Sequence, residues 1–235
     1  VNKKSAVFDL DGTILDTIGD IARAMNAVLA ARGYEPAPVE GYRDRVGWGL
    51  TETVRRSLPP DDGESESVVK ELTGEFKVFL QGDPVKDTVP YPGIPELLHD
   101  LDAAGFALLV HTNKPHGIAQ AVISAMFPDV PFAAVLGQRD DIPRKPDPAG
   151  TLMILSEAGL APENCWFVGD SEVDVETARN AGCKSVGVTW GYRDGEAVRG
   201  AGPDYLCYSV DELRTVFGLE LRLEPGGRQR KGEAQ

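Results

Sequence analysis

Val7-Phe8-Asp9-Leu10-Asp11-Gly12-Thr13-Ile14-Leu15-Asp16 sets an apolar run directly against two carboxylates that stand two residues apart. In extended backbone, residues i and i+2 project to the same side. Asp9 and Asp11 therefore crowd two negative charges onto one strand end, and each makes the other harder to ionise. A fold accommodates such a pair with something positive between the acids, most simply a divalent metal. Gly12 lets the chain turn sharply just after the pair. Taken alone, the stretch also reads as a strand end running into a solvated acidic turn. The rest of the chain has to decide between the two.

Beyond this strand, the residues up to about 88 read as helical, with no strand candidate. Apolar residues from Ile18 to Leu29 recur at spacings of three and four, with Gly33 as a stop. Pro36 and Pro38 precede a short helix over 39–44, a loop over 45–49 and another short helix over 50–58. Pro59-Pro60-Asp61-Asp62-Gly63 breaks the pattern, and a longer amphipathic helix follows. Its expected buried stripe is Val68, Val69, Leu72, Phe76, Phe79 and Leu80.

After Val89-Pro90-Tyr91-Pro92-Gly93 the character changes to short apolar strands alternating with helices. Strands are expected over 106–111, 132–136, 165–168, 185–189 and 205–207. Helices are expected over 95–104, 117–127, 147–158, 172–181 and 210–217. Alternation of this kind specifies an α/β fold, a parallel sheet with crossover helices on both faces. Residues 1–15 and 89–221 then form the core, 16–88 an all-helical insertion, and 222–235 a frayed polar tail.

Composition narrows the function. A formal charge of −13 over 235 residues argues against a nucleic-acid partner, which needs a basic face, and against an anionic membrane surface. No apolar run of about 18 residues offers a membrane span, and the N-terminal run before Asp9 is too short for a secretory signal. The expected location is cytoplasmic. Cys165, Cys183 and Cys207 show no C-x-x-C spacing and read as buried free thiols.

In open parallel sheets, ligands collect at the carboxyl ends of strands. The first strand ends in Asp9 and Asp11, and the second core strand in Thr112-Asn113-Lys114. A loop after the third carries Arg144-Lys145-Pro146-Asp147-Pro148, and the fourth ends in Gly169-Asp170-Ser171 with Asp174 beyond. Each has a plain structural reading: Thr112 as a strand-end residue, Lys145 as a solvated turn charge, Asp170 and Asp174 as helix caps. Together they form an inventory of carboxylates, a hydroxyl with an adjacent amide, and a lysine. That inventory suits a metal ion and a phosphoryl group.

In this order and at these strand ends, the residues resemble the haloacid dehalogenase superfamily, in particular its phosphatases with an inserted helical cap. The Asp-x-Asp-Gly-Thr motif stands at Asp9 to Thr13, the second motif at Thr112-Asn113, the third at Lys145, and the fourth at Gly169-Asp170-Ser171 with Asp174. The resemblance implies a Rossmann-like core with 16–88 as a cap over the site. It implies Asp9 as the nucleophile that forms an aspartyl phosphate, and Asp11 as the acid and then base. Mg2+ would be held by Asp9, the Asp11 backbone carbonyl and Asp170, with Asp174 in support. Thr112, the Asn113 amide and Lys145 would hold the phosphoryl oxygens. An acid at position 11 argues against carbon–halogen chemistry.

The cap should choose the substrate, a small phosphorylated metabolite. Arg45-Val46-Gly47-Trp48-Gly49 is similar to the Val-Gly-x-Gly loop of phosphoglycolate phosphatases. On that resemblance Arg45 and Gly47 become candidate substrate-binding residues for 2-phosphoglycolate, although a helix–helix turn with surface arginines accounts for the same residues. Cap-bearing phosphatases for pyrophosphate, nucleotides or sugar phosphates share most of these features, as does a β-phosphoglucomutase. A catalytically idle binding protein is the reading from another class. A monomer or a homodimer is compatible with the sequence.

Overall fold

A computed structural model describes residues 3–220. The expected tail over 222–235 lies outside the described residues. The strands are β1 (Ser5–Phe8), β2 (Leu15–Asp16), β3 (Val89–Pro90), β4 (Ala107–Pro115), β5 (Phe132–Gln138), β6 (Cys165–Gly169), β7 (Lys184–Val188) and β8 (Tyr205–Cys207). The helices are α1 (Ile18–Ala31), α2 (Leu50–Ser57), α3 (Pro60–Gly63), α4 (Glu66–Gly82), α5 (Ile94–Ala103), α6 (His116–Met126), α7 (Ala149–Glu157), α8 (Glu172–Ala181), α9 (Gly195–Gly200) and α10 (Val210–Phe217).

Six strands form one sheet in the order β5-β4-β1-β6-β7-β8, every described pair parallel. Ala6, Val7 and Phe8 of β1 are fully buried, as a central parallel strand covered on both faces requires. The faces divide by residue parity. Ala6, Phe8, Leu108, Val110, Trp166 and Val168 join one apolar cluster with α5, α6 and α10. Val7, Leu109, Cys165 and Phe167 join another with α7 and α8. From β1 the chain moves toward β4 and β5, whereas from β6 it moves toward β7 and β8. The outgoing connections therefore diverge between β1 and β6, and that divergence opens a crevice at their carboxyl ends. The acidic pair after β1 sits in this crevice.

The helical segment leaves the sheet after β2 and returns at β3. These two short strands pair with each other antiparallel, Leu15 with Pro90 and Asp16 with Val89. Inside the segment, α1 and α4 pack through Met25, Leu29, Leu72 and Phe76. The Asn26 side chain bonds both backbone groups of Ala37 and accepts from the Tyr42 hydroxyl at 2.6 Å. Buried Asp20 fixes the return crossing, accepting from the Asp87 amide at 3.1 Å and the Thr88 hydroxyl at 2.6 Å.

Several elements depart from the expected ones. The 59–63 breaker contains a helical turn, α3, since proline is tolerated at a first helical position. Val39–Arg45 is a 3-10 helix that takes in Arg45. Phe79 is exposed on α4, outside the buried stripe. β4 runs four residues past His111 and carries Thr112, Asn113 and Lys114 within the strand. The β2–β3 pair and α9 had no periodic signal because each is too short to show one.

Phe217 closes α10 onto the sheet, its ring centroid 5.5 Å from Phe106, 6.0 Å from Trp166 and 6.3 Å from Phe8. Phe217→Ala is expected to lower unfolding stability by about 3–5 kcal/mol, the cost of emptying a buried aromatic site. Urea denaturation of the variant tests this, and a loss under about 1 kcal/mol would contradict the packing role.

Candidate active site

The register of β1 brings the motif residues together. Phe8 pairs with Val110 on one side and Val168 on the other, and the Asp9 amide donates to the Val168 carbonyl at 2.9 Å. Asp9 and Asp11, Thr112, and Asp170 therefore emerge one to three residues past matched positions on three adjacent strands. Lys145 arrives on the loop that follows β5. Its Nζ lies 2.9 Å from Asp9 Oδ1 and 2.6 Å from Asp174 Oδ1.

An oxygen from each of Asp9, Asp170 and Asp174 can be chosen so that all lie within 4.8 Å of one another, and all three residues are buried. Asp170 accepts from the Thr13 hydroxyl at 3.1 Å and the Tyr192 amide at 2.7 Å. Asp174 Oδ2 closes a capping box at the start of α8, accepting from the Ser171 amide at 3.1 Å and hydroxyl at 2.5 Å. Both Asp174 oxygens thus already have protein donors, which suits a supporting position. Gly191 permits this crowding: a Cβ there would lie 2.3 Å from the Asp170 Cβ.

Charge in this cluster does not balance. Burial pushes the Asp9 carboxyl up to about 7; Lys145 pulls it down, while Asp174, Asp170 and Asp11 push it further up. Burial and then Asp174 raise Asp170 to about 6. For Lys145, burial acts to lower the ammonium, but Asp174 and Asp9 outweigh it and hold the lysine charged. Three buried acids against one buried ammonium leave a deficit of positive charge, and oxygen donors this close fit a hard cation. The donor set thus matches a metal ion.

Asp11 faces elsewhere. Its Oδ1 accepts from the Lys114 Nζ at 2.9 Å and the Thr17 hydroxyl at 2.5 Å, and the Thr17 amide in turn donates to the Tyr192 hydroxyl at 2.7 Å. Asp9, Asp11, Thr112, Asn113 and Lys114 form the floor of a cavity of about 30 Å³. Val46, Gly47, Gly49, Leu50, Phe76 and Leu80 of the helical segment help roof it. Gly47 therefore meets the site. Arg45 does not line this cavity; its guanidinium lies over the Tyr42 ring at 5.2 Å.

Asn113 joins floor to roof through its side chain rather than its amide alone. Nδ2 donates to the Gly47 carbonyl at 3.1 Å, and Oδ1 accepts from the Lys145 amide at 3.1 Å. A second tie comes from Arg193, just after β7, which donates to the Arg43 carbonyl at 2.8 Å and to the Val46 carbonyl. Its guanidinium also stacks on Trp48 at 4.0 Å, with Arg56 over the same ring at 3.6 Å. Gly47 has φ +114°, and a Cβ there would lie 2.8 Å from Arg193 Nη2, so the tie itself calls for glycine.

Sequence reasoning assigned no role to Lys114, Thr17, Tyr192 or Arg193. Lys114 carried a usable signal, because it stands with Thr112 and Asn113 directly after an apolar run. Arg193 carried none, since its partners are backbone carbonyls nearly 150 positions away.

The family profile for haloacid dehalogenase-like hydrolases matches residues 6–188. Phosphoglycolate phosphatase of Pseudomonas putida is 34% identical over 216 residues, covering 90% of this chain and 77% of that protein. The Escherichia coli phosphoglycolate phosphatase is 31% identical over 234 residues, covering 92% and 93%. A crystal structure from Lactobacillus delbrueckii subsp. bulgaricus, provisionally assigned as a phosphoglycolate phosphatase, superposes with a TM-score of 0.84. It shares 28% identity, with 92% of this chain and 98% of that one covered. The chain belongs to the haloacid dehalogenase-like hydrolase family. Among the described residues, no helix is long and apolar enough to cross a membrane.

Two predictions follow from the ties around the site. Removing the Arg193 head group by Arg193→Met should speed amide exchange over residues 43–49 by at least about tenfold, the loss of a charge-assisted bond or two. Unchanged exchange there would contradict the tie. The second concerns His111, buried beneath the floor with Nδ1 2.8 Å from the Thr151 hydroxyl; burial, and then Lys145, lower its pKa to about 3. Because the unfolded chain takes up that proton near its ordinary pKa of about 6.5 and the native protein does not, the stabilising contribution is full above about 6.5. It is lost as pH falls from there toward 3. His111→Asn should flatten this part of the stability–pH curve measured by denaturant titration, and an unaltered slope would refute the assignment.

Proposed function

We propose that the protein is a metal-dependent phosphomonoesterase that works through an aspartyl-phosphate intermediate, with Mg2+ as its metal and 2-phosphoglycolate as its substrate. The observation that carries the reading is Asp9 at the carboxyl end of the central strand, 2.9 Å from Lys145, beside Asp170 and Asp174 and open to the same cavity as Asp11 and Thr112.

In this reading Asp9 attacks phosphorus in line with the departing oxygen, and the P–O bond to the alcohol breaks as the bond to Asp9 forms. Asp11 gives its proton to the leaving oxygen and then takes one from the water that hydrolyses the acyl phosphate. Lys145 keeps Asp9 ionised and, with the Thr112 hydroxyl and the Asn113 amide, holds phosphoryl oxygens. Asp9, the Asp11 backbone carbonyl and Asp170 hold the metal, with Asp174 in support. When bound, Mg2+ offsets the excess of carboxylates and screens Asp9 from the phosphate dianion.

The segment over 16–88 serves as a cap, closed on the core by the Asn113 and Arg193 ties and crossing through the β2–β3 pair. The phosphoglycolate phosphatase relatives at 31–34% identity support the substrate. Buried free cysteines and a small-metabolite substrate fit a cytoplasmic location.

Purified protein should release phosphate from p-nitrophenyl phosphate only with Mg2+ or a similar cation. Asp9→Asn should reduce that release by at least about 1000-fold, a loss expected for removing a covalent nucleophile. A well-folded wild type inactive on a broad panel of phosphate esters overturns the enzyme reading. Turnover of 2-phosphoglycolate no better than of pyrophosphate or hexose phosphates overturns the substrate.

A further inference from the structure

We propose that Lys114 recognises a carboxylate carried by the leaving alcohol of the substrate. The proposal deepens the phosphoglycolate reading and rests on it.

The cavity that holds Asp9 and Asp11 must also receive the substrate's second anionic group. Among the described residues that line it, Lys114 is the one cation. Arg144 Nη1 stands beside Gly49, 3.4 Å from where a Cβ there would lie, without lining the cavity, and four other nearby cations are committed elsewhere. Lys145 bridges Asp9 and Asp174, and Arg45 lies over Tyr42. Arg43 is held by Glu40 and the Gly191 carbonyl, and Arg193 by two backbone carbonyls and Trp48. Lys114 is only 6% exposed, so its ammonium is costly to leave unpaired. In this structure that cost is met by Asp11 at 2.9 Å.

Asp11 Oδ1 is held by Lys114 and by the Thr17 hydroxyl. A substrate carboxylate placed against Lys114 keeps the buried ammonium paired, whereas a neutral alcohol of the same size offers it no anion. Thr112 and Lys114 line the same cavity, and Lys114 Nζ stands 2.9 Å from Asp11 Oδ1 there, so a molecule with its phosphoryl group at Thr112 can present a carboxylate to Lys114 within one space.

The test compares 2-phosphoglycolate with 2-hydroxyethyl phosphate, which has the same chain length and no carboxylate. In the wild type the ratio of kcat/KM should favour the carboxylate. In Lys114→Met that ratio should collapse by about 30-fold or more, the usual effect of removing one partner from a buried charge pair. Lys114→Arg should restore part of it. A wild type without preference overturns the substrate reading and this assignment together. A wild type with a preference that Lys114→Met retains overturns the assignment alone.

Should Lys114→Met fail to fold around an unpaired Asp11, Asp11→Asn/Lys114→Met removes both charges. Titration calorimetry then compares it with Asp11→Asn, in which Lys114 remains and Asp11 no longer competes for it. The single variant is expected to bind 2-phosphoglycolate about 30-fold more tightly, relative to 2-hydroxyethyl phosphate, than the double variant. Equal discrimination by the two overturns the proposal.

Discussion

Everything at this site depends on burying several carboxylates at adjacent strand ends around a single ammonium. Each acid taken from water resists ionisation, and each raises the cost for its neighbours. Lys145 between Asp9 and Asp174 meets part of that cost, and hydrogen bonds from Thr13, Ser171 and Tyr192 meet another part. What is left is a deficit of positive charge, which a hard cation would offset. Stability alone would not select such a cluster, because apolar residues of similar volume fill a sheet crevice at lower cost.

The sheet topology explains why the cluster can form at all. β1 is central, its neighbours β4 and β6 run parallel to it, and the outgoing connections diverge between β1 and β6. The crevice opened there places residues from distant parts of the chain within bonding distance while the strands behind them stay packed on both faces. Side chains on rigid strand ends are held more accurately than side chains on loops. Lys145 is the exception, and the bond from its amide to the Asn113 side chain compensates.

Asn113 and Arg193 make the helical segment part of the same network. One side chain joins the Lys145 backbone to the Gly47 carbonyl, and the other grips the loop around Val46 and Trp48. The segment reaches the core through two short crossings that pair with each other, Leu15 with Pro90 and Asp16 with Val89, so its ends are fixed to one another as well as to the sheet.

The sequence by itself determined the α/β class, the helical insertion and the set of acids at strand ends. Those features follow from local periodicity and from side-chain alternation along strands, which any short window displays. Asp9, Thr112, Lys145, Asp170 and Asp174 could be gathered because each directly follows an apolar strand or lies in the loop or first helical turn after one. Tertiary structure alone decided which acid faces which cation. Asp9 and Asp11 share a strand end, yet one meets Lys145 and the other Lys114, because each choice depends on segments, a loop and a neighbouring strand, more than a hundred residues away. The same holds for Arg45 and Arg193. The first stood in a suggestive motif and packs on a ring, while the second stood in none and grips the loop. An arginine's partner is set by which backbone comes within reach, and no local pattern records that.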